Sequence, residues 1–334
     1  MKKLRLFITA KNFWVVAIVF FLVGTAAGYL AVRMTIPYGK SLGGQLRAPS
    51  VEYPLVSQLI ACLSPDKDYF EEYASLRNEL VSFINREVSQ GHADKVSVYF
   101  RDLTTGHWTG VNENNAYFPA SLLKVPVMMA YFKQAATNPA VLGERLKYVV
   151  SASTGKNDAT SATQLKSGQY YTVMELIDAM IIKSDNAALD ALVNSVNNKL
   201  LSQIFADLEI DSPESVQETD AYAISVRKYS LLFRALYNAT ILNPVMSEKA
   251  LDLLSRVEFK DGLVAALPKD LVVAHKYASH TSDPIGIELH DAGIVYYNGH
   301  PYFIGVMTKG KDITNLAVAI SHISQVVYQF VSGE

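Results

Sequence analysis

Three short polar motifs in a fixed order constrain this chain more than any other feature: Ser121-Leu122-Leu123-Lys124, then Ser184-Asp185-Asn186, then Lys276-Tyr277-Ala278. Each lies in a different local context. A fold that uses them together has to bring a helix start, a joint between helices and a strand to one place. The Ser-x-x-Lys spacing alone selects nothing, since it recurs at Ser64/Lys67, Ser153/Lys156 and Ser225/Lys228, and a second Ser-x-Asn sits at Ser195/Asn197. Context selects Ser121. Upstream, residues 96–102 alternate and are rich in β-formers, and that strand ends before Gly106. Downstream, residues 125–135 are apolar over a helical length. Pro126 is tolerated only in or near a first turn, which places Ser121 near the helix N-terminus, where backbone N–H groups lack intrahelical partners and can serve an oxyanion.

Residues three apart share a helical face, so Lys124 can reach the Ser121 hydroxyl. A lysine titrates near 10.4 in water and has to be brought down by burial or a neighbouring cation before it can take a serine proton at about neutral pH; Lys276 can be that cation.

The second motif falls between two helices. Thr172 and Glu175 have capping-box spacing, the apolar pattern runs to Lys183, and residues 187–196 read as the next helix. Ser184 is then placed to pass a proton to a leaving nitrogen. Asn186 is placed to hold a substrate amide and to steady Lys124. Residues 271–280 read as a strand that turns Lys276, Ala278 and His280 to one face and His275, Tyr277 and Ser279 to the other. Residues 291–297 and 302–309 read as a hairpin turning at Asn298-Gly299, and residues 315–331 as an amphipathic helix.

With these residues in place, the chain resembles the class A β-lactamase and penicillin-binding superfamily of active-site serine enzymes over roughly residues 70–334. The stretches from Phe118 to Lys124 and from Thr172 to Asn186 carry the likeness beyond the bare motifs. The resemblance implies that Ser121 is the acylated nucleophile and Lys124 its general base or part of the proton relay. It implies that Ser184 is the proton shuttle, Asn186 the substrate-amide ligand and Lys276 the lysine of the family's KTG strand. The N–H groups of Ser121 and Ser279 would form the oxyanion hole, beside Tyr277 in the substrate-binding strand. No cofactor is required by this chemistry. The partner implied is a β-lactam or a cell-wall (peptidoglycan) peptide.

Two departures bear on mechanism. Tyr277 stands where the family has a carboxylate-binding threonine, and Ala278 where it has glycine. The glutamate of an ExxLN stretch, which activates the deacylating water in class A β-lactamases, has no counterpart between Leu208 and Ile224; Glu209, Glu214, Glu218 and Asp220 lie there without a following Leu-Asn pair. Three readings therefore stand: a β-lactamase-like hydrolase, a D-alanyl-D-alanine carboxypeptidase or transpeptidase whose acyl-enzyme persists, and a non-catalytic wall-binding protein of the same fold.

At the other end of the chain, residues 12–32 carry no charge, and at about 1.5 Å per residue a helix of this length crosses the roughly 30 Å hydrocarbon core of a bilayer. Lys2, Lys3, Arg5 and Lys11 precede it, which holds the amino terminus inside and exports the rest. The expected organisation is a basic cytoplasmic tail at 1–11, a transmembrane anchor at 12–33 in contact with membrane lipid, a Pro- and Gly-rich tether at 34–66, and a hydrolase domain at 67–334. The protein is thus expected in the cell membrane as a single-pass chain with its domain extracytoplasmic.

Cys62 is the only cysteine, which excludes an intramolecular disulfide. The 30 Lys and Arg nearly balance the 32 Asp and Glu, leaving no basic excess for nucleic acid. The seven histidines show no metal-ligand spacing, so no metal site is expected. The expected fold is α/β (α+β): an antiparallel sheet from both ends of the domain with terminal helices packed on it, plus an all-α lobe from the middle, the site lying between them.

Overall fold

In the computed structural model, residues 53–57, 70–151, 164–213, 222–282 and 286–333 are described. The expected cytoplasmic tail and transmembrane anchor fall outside these residues. Among the described residues no helix is long and apolar enough to cross a membrane.

The chain enters through α1 (Ala74–Ser89), β1 (Lys95–Asp102), β2 (Trp108–Val111) and the short β3 (Ala116–Tyr117). A 3-10 turn at Ala120–Leu123 runs into α2 (Lys124–Ala135). A middle section follows: β4 (Arg145–Lys147), β5 (Tyr170–Thr172), α3 (Val173–Ile182), α4 (Asn186–Val193), α5 (Asn198–Asp207), β6 (Ile224–Ser225), α6 (Val226–Tyr237) and α7 (Pro244–Ser255). The chain then returns to the sheet with β7 (Val272–Ser282), β8 (Gly286–Tyr296) and β9 (Tyr302–Gly310), and closes with α8 (Ile313–Ser332).

The main sheet has the order β2-β1-β9-β8-β7, with every pairing antiparallel. Both ends of the domain thus build one sheet, as expected. Its strands are buried on both faces because each face has its own partner. On one side Val98, Phe100, Leu289 and Ile304 pack with Leu80 of α1 and Ile320 and Ile323 of α8. On the other, Tyr99, Ala274, Ala278, Ala292 and Phe303 join the core of α2, α3, α4 and α6.

Local signals set the element boundaries. Thr172 caps α3 in a full capping box with Glu175, Asn197 caps α5 through the Leu200 N–H, and Ser225 caps α6 through the Lys228 N–H. Ser225/Lys228 is therefore a helix cap and not a second nucleophile motif. The helix read over 187–196 ends at Val193, because Asn197 has to leave helical geometry to cap α5. The hairpin between β8 and β9 turns at Asn298 and Gly299, both with positive φ of 34° and 79°. β8 begins five residues earlier than the sequence pattern suggests, and the added stretch places the polar Glu288 and His290 at buried strand positions.

Gly293 sits where β7 and β8 leave no room for a side chain: a Cβ there would run into the Ala274 carbonyl oxygen. Residues 53–57, within the span read as a tether, pack on the domain. The Leu55 and Val56 N–H groups donate to Glu248 Oε2 at 2.9 and 3.1 Å, and the Ser57 N–H donates to the Tyr237 carbonyl at 2.7 Å.

Candidate active site

Ser121 is half-buried in the 3-10 turn, just before α2, and Lys124 opens α2 itself. Turn and helix abut because Pro126 takes a first-turn position of α2, where its missing N–H costs no hydrogen bond. The Tyr229 hydroxyl on α6 donates to the Leu122 carbonyl at 3.2 Å, fixing the turn from below. Burial pushes the Tyr229 phenol well above its ordinary value, with Asp291 adding to the shift, so it stays a neutral donor.

Ala120, immediately before Ser121, has φ 45°, and Ser184 has φ 59°. Left-handed geometry at a non-glycine residue costs of order 1–3 kcal/mol and is held only where surroundings over-determine it. At Ser184 those surroundings are explicit. Lys124 Nζ donates to the Ser184 carbonyl oxygen, to Ser184 Oγ at 3.1 Å and to Asn186 Oδ1 at 2.7 Å. The next residue, Asp185, caps α4 by accepting the Ala188 N–H at 2.8 Å, and its other oxygen accepts from the Tyr148 hydroxyl at 2.9 Å.

Lys276 comes from the edge strand β7. Its Nζ donates to Ser184 Oγ at 2.9 Å and to the Tyr277 carbonyl at 3.0 Å, and lies 4.4 Å from the Tyr277 ring centroid. Lys124 and Lys276 are both fully buried, and Ser184 is 2% exposed. Ser121, Lys124, Ser184, Asn186 and Lys276 thus come from the three motif segments, and the last four share one hydrogen-bonded cluster.

The other two expected residues sit further along β7. Tyr277 is half-buried and stacks on Phe259, with ring centroids 4.1 Å apart and planes at 15°. Ser279 is exposed, paired with Leu289 of β8. Sequence reasoning did not reach Tyr148, Phe259 or Tyr229, whose partners lie far away in the chain.

Of the loop carboxylates, Glu209 is exposed in the turn after α5, while Glu214, Glu218 and Asp220 lie outside the described residues. Asp190, one turn beyond Asn186, is shifted upward by partial desolvation, with the Lys124 ammonium opposing the shift and Asp185 adding to it. Among the described residues no group of three or more His, Cys, Asp or Glu could hold a metal ion.

The cluster suits proton relay at a serine nucleophile. A hydroxyl has two lone pairs and one hydrogen. With two lysine nitrogens on its oxygen, the Ser184 hydrogen is directed elsewhere, and a proton arriving from either lysine can pass through Ser184.

Fold and site together define the structural class of the active-site serine β-lactamases. The chain belongs to the beta-lactamase enzyme family, whose sequence pattern matches residues 79–331. Among solved structures, a PBP-A mutant, an acyl-enzyme complex with penicillin G, is 25% identical with a TM-score of 0.65, covering 78% of this chain and 97% of that one. A class A β-lactamase from Mycobacterium abscessus is 20% identical with a TM-score of 0.64, covering 77% and 99%. A β-lactamase from Chitinophaga pinensis is 19% identical with a TM-score of 0.65, covering 76% and 100%. The latter two show the likeness of fold alone. No curated protein sequence matches the chain.

Proposed function

We propose that this protein is a β-lactamase-like serine hydrolase that forms an acyl-enzyme at Ser121 and hydrolyses β-lactam amides. The observation that carries this reading is the shared contact of two buried lysines, Lys276 and the Lys124 that lies three residues beyond Ser121, with Ser184 Oγ. Two ammonium groups this close repel each other, and burial disfavours both charges, which favours a state with one of them neutral. In that state Lys124 takes the Ser121 proton as Oγ attacks the amide carbon. The backbone N–H groups of Ser121 and Ser279 stabilise the oxyanion. The proton then travels through Ser184 to the leaving nitrogen, and Asn186 holds the substrate amide.

A second reading, a penicillin-binding carboxypeptidase or transpeptidase acting on cell-wall peptides, is favoured by the missing ExxLN stretch. The likeness to a PBP-A protein seen as a penicillin acyl-enzyme points the same way. In either case the uncharged run at 12–32 and the lysines before it support a single-pass anchor in the cell membrane with the domain outside.

Incubating the full chain with penicillin G and following intact mass beside Ser121→Ala tests these readings. A transient adduct with accumulating penicilloate is the hydrolase result, and a lasting stoichiometric adduct is the peptidase result. Equal labelling of wild type and Ser121→Ala, or no adduct at all, would remove both and leave a non-catalytic binding role.

A further inference from the structure

The segment that leads into the nucleophile turn is gripped by the sheet at one residue. Glu288 Oε2 accepts the Phe118 N–H at 3.1 Å, and His290 Nε2 lies 3.1 Å from the Phe118 carbonyl oxygen. A carbonyl oxygen only accepts, so Nε2 carries the hydrogen; Nδ1 in turn accepts the Thr308 N–H at 3.3 Å. Both polar groups of the Phe118 backbone are therefore held by side chains of β8. Glu288 is 8% exposed and His290 1%, with Glu288 Oε2 and His290 Nε2 3.6 Å apart.

Their placement follows from register. Glu288 and His290 are two residues apart and pair with His280 and Ala278 of β7, which puts them on the sheet face that carries Lys276. The Phe118 ring also packs on His280, with ring centroids 4.5 Å apart. Only Pro119 and Ala120 separate the gripped residue from Ser121. Proline fixes its own φ, and Ala120 is in the left-handed region at φ 45°, so little freedom remains between grip and nucleophile.

Burying a carboxylate and an imidazole is expensive, and an apolar pair of similar volume generally stabilises a fold at least as well. Burial pushes the Glu288 carboxyl up, yet the neighbouring His290, the hydrogen bond from the Phe118 N–H and the Lys309 charge outweigh it and hold the group below its ordinary value. Glu288 is thus an ionised acceptor whose partners are the Phe118 backbone and the histidine that completes the grip.

We propose that Glu288 and His290 are positioning residues for Ser121: by fixing both backbone groups of Phe118 they set the placement of the Ser121 hydroxyl against Lys124. This rests on Ser121 being the acylated residue. The test uses the full chain and the variants Glu288→Ala, Glu288→Gln, His290→Ala and His290→Gln. Two quantities are measured: the limiting rate and half-saturating concentration of acylation by penicillin G, and hydrogen exchange at the amides of residues 120–124.

A misplacement of order 1 Å costs roughly 10²-fold in rate. The alanine variants are expected to acylate about 10- to 100-fold more slowly with half-saturation little changed. Exchange at the turn should quicken in the same variants. Glutamine at either position keeps a group able to bond Phe118 and should restore both readouts. Should the alanine variants not fold, Glu288→Asp keeps the buried charge while withdrawing the oxygen from Phe118, and it should show the same two effects. Wild-type exchange and rate in the folded alanine or aspartate variants, or glutamine variants as impaired as alanine, would overturn the proposal. If penicillin G does not acylate the wild type, the serine reading fails, and the exchange measurement still decides whether the grip orders the turn.

Discussion

Lys276 Nζ donates to Ser184 Oγ at 2.9 Å, joining an edge strand to the joint between two helices across 92 residues of sequence. Lys124 reaches the same oxygen from a third element. Ser184 is therefore the point at which lysines from the helical section and the sheet meet, and its left-handed backbone is held in place by the contact of Lys124 with its carbonyl.

Replacing Ser184 with alanine should cut the acylation rate by about 10²- to 10³-fold, within the usual range for one acid–base group, while the circular dichroism spectrum stays that of wild type. Stopped-flow acylation with a chromogenic β-lactam measures it. A rate within threefold of wild type would mean that the relay does not run through this hydroxyl.

Lys124→Arg keeps the charge but cannot supply a neutral nitrogen, since a guanidinium does not deprotonate in proteins. Acylation should fall by about 10³-fold or more at pH 7 and should not recover as pH is raised to about 9. Recovery in base would point to a different group as the acceptor of the Ser121 proton.

Tyr148→Phe removes a hydrogen bond to the Asp185 carboxylate that caps α4. Hydrogen bonds to charged groups contribute about 1.5–3 kcal/mol, so urea unfolding should show a loss of that order. Acylation should slow as well, because Asn186 is the first residue of the helix so capped.

His275 Nδ1 lies 2.8 Å from Asp291 Oδ1, and the other Asp291 oxygen accepts the Leu263 N–H at 3.0 Å, all on the sheet face away from Lys276. The two side chains are 1% and 0% exposed. Breaking such a pair by Asp291→Ala should destabilise by about 3–5 kcal/mol, and Asp291→Asn, which keeps one acceptor, should cost less. Equal urea midpoints for the two variants would contradict this.

Glu175 accepts hydrogen bonds from the backbone and hydroxyl of Thr172, the backbone one being the larger cause, and these hold its carboxyl below the ordinary 4.5. A carboxyl lowered on folding contributes stability that is fully present above its unfolded value and fades as pH falls through the folded one. The stability gap between wild type and Glu175→Ala should therefore be constant from pH 7 to about pH 5 and shrink at about pH 3. Urea titrations at those pH values measure the gap, and an undiminished gap in acid would exclude the electrostatic origin.

Much of this was legible along the chain. Thr172 and Glu175 announce a helix start, Pro126 locates the start of α2, and Asn298-Gly299 marks the hairpin turn, because each acts on backbone groups within a few residues. The same local chemistry placed Ser121, Ser184, Asn186 and Lys276 on the elements where they are found. What stayed hidden was the start of β8, where the polar pair His290-Asp291 interrupts the alternation that Ile287 to His290 would otherwise carry into the strand.

Sequence by itself determined the elements that carry the three motifs, their order and the residue types suited to acyl transfer, since caps, turns and periodicity are interactions between near neighbours. Tertiary structure alone decided that Lys276 is buried against Ser184, that Tyr148 holds Asp185, that Asp291 holds His275, and that Glu288 and His290 grip Phe118. Each of these is a buried polar group seeking a partner, and in a packed interior that partner is whichever complementary group the sheet register and helix packing bring within about 3 Å, a quantity no local spacing encodes.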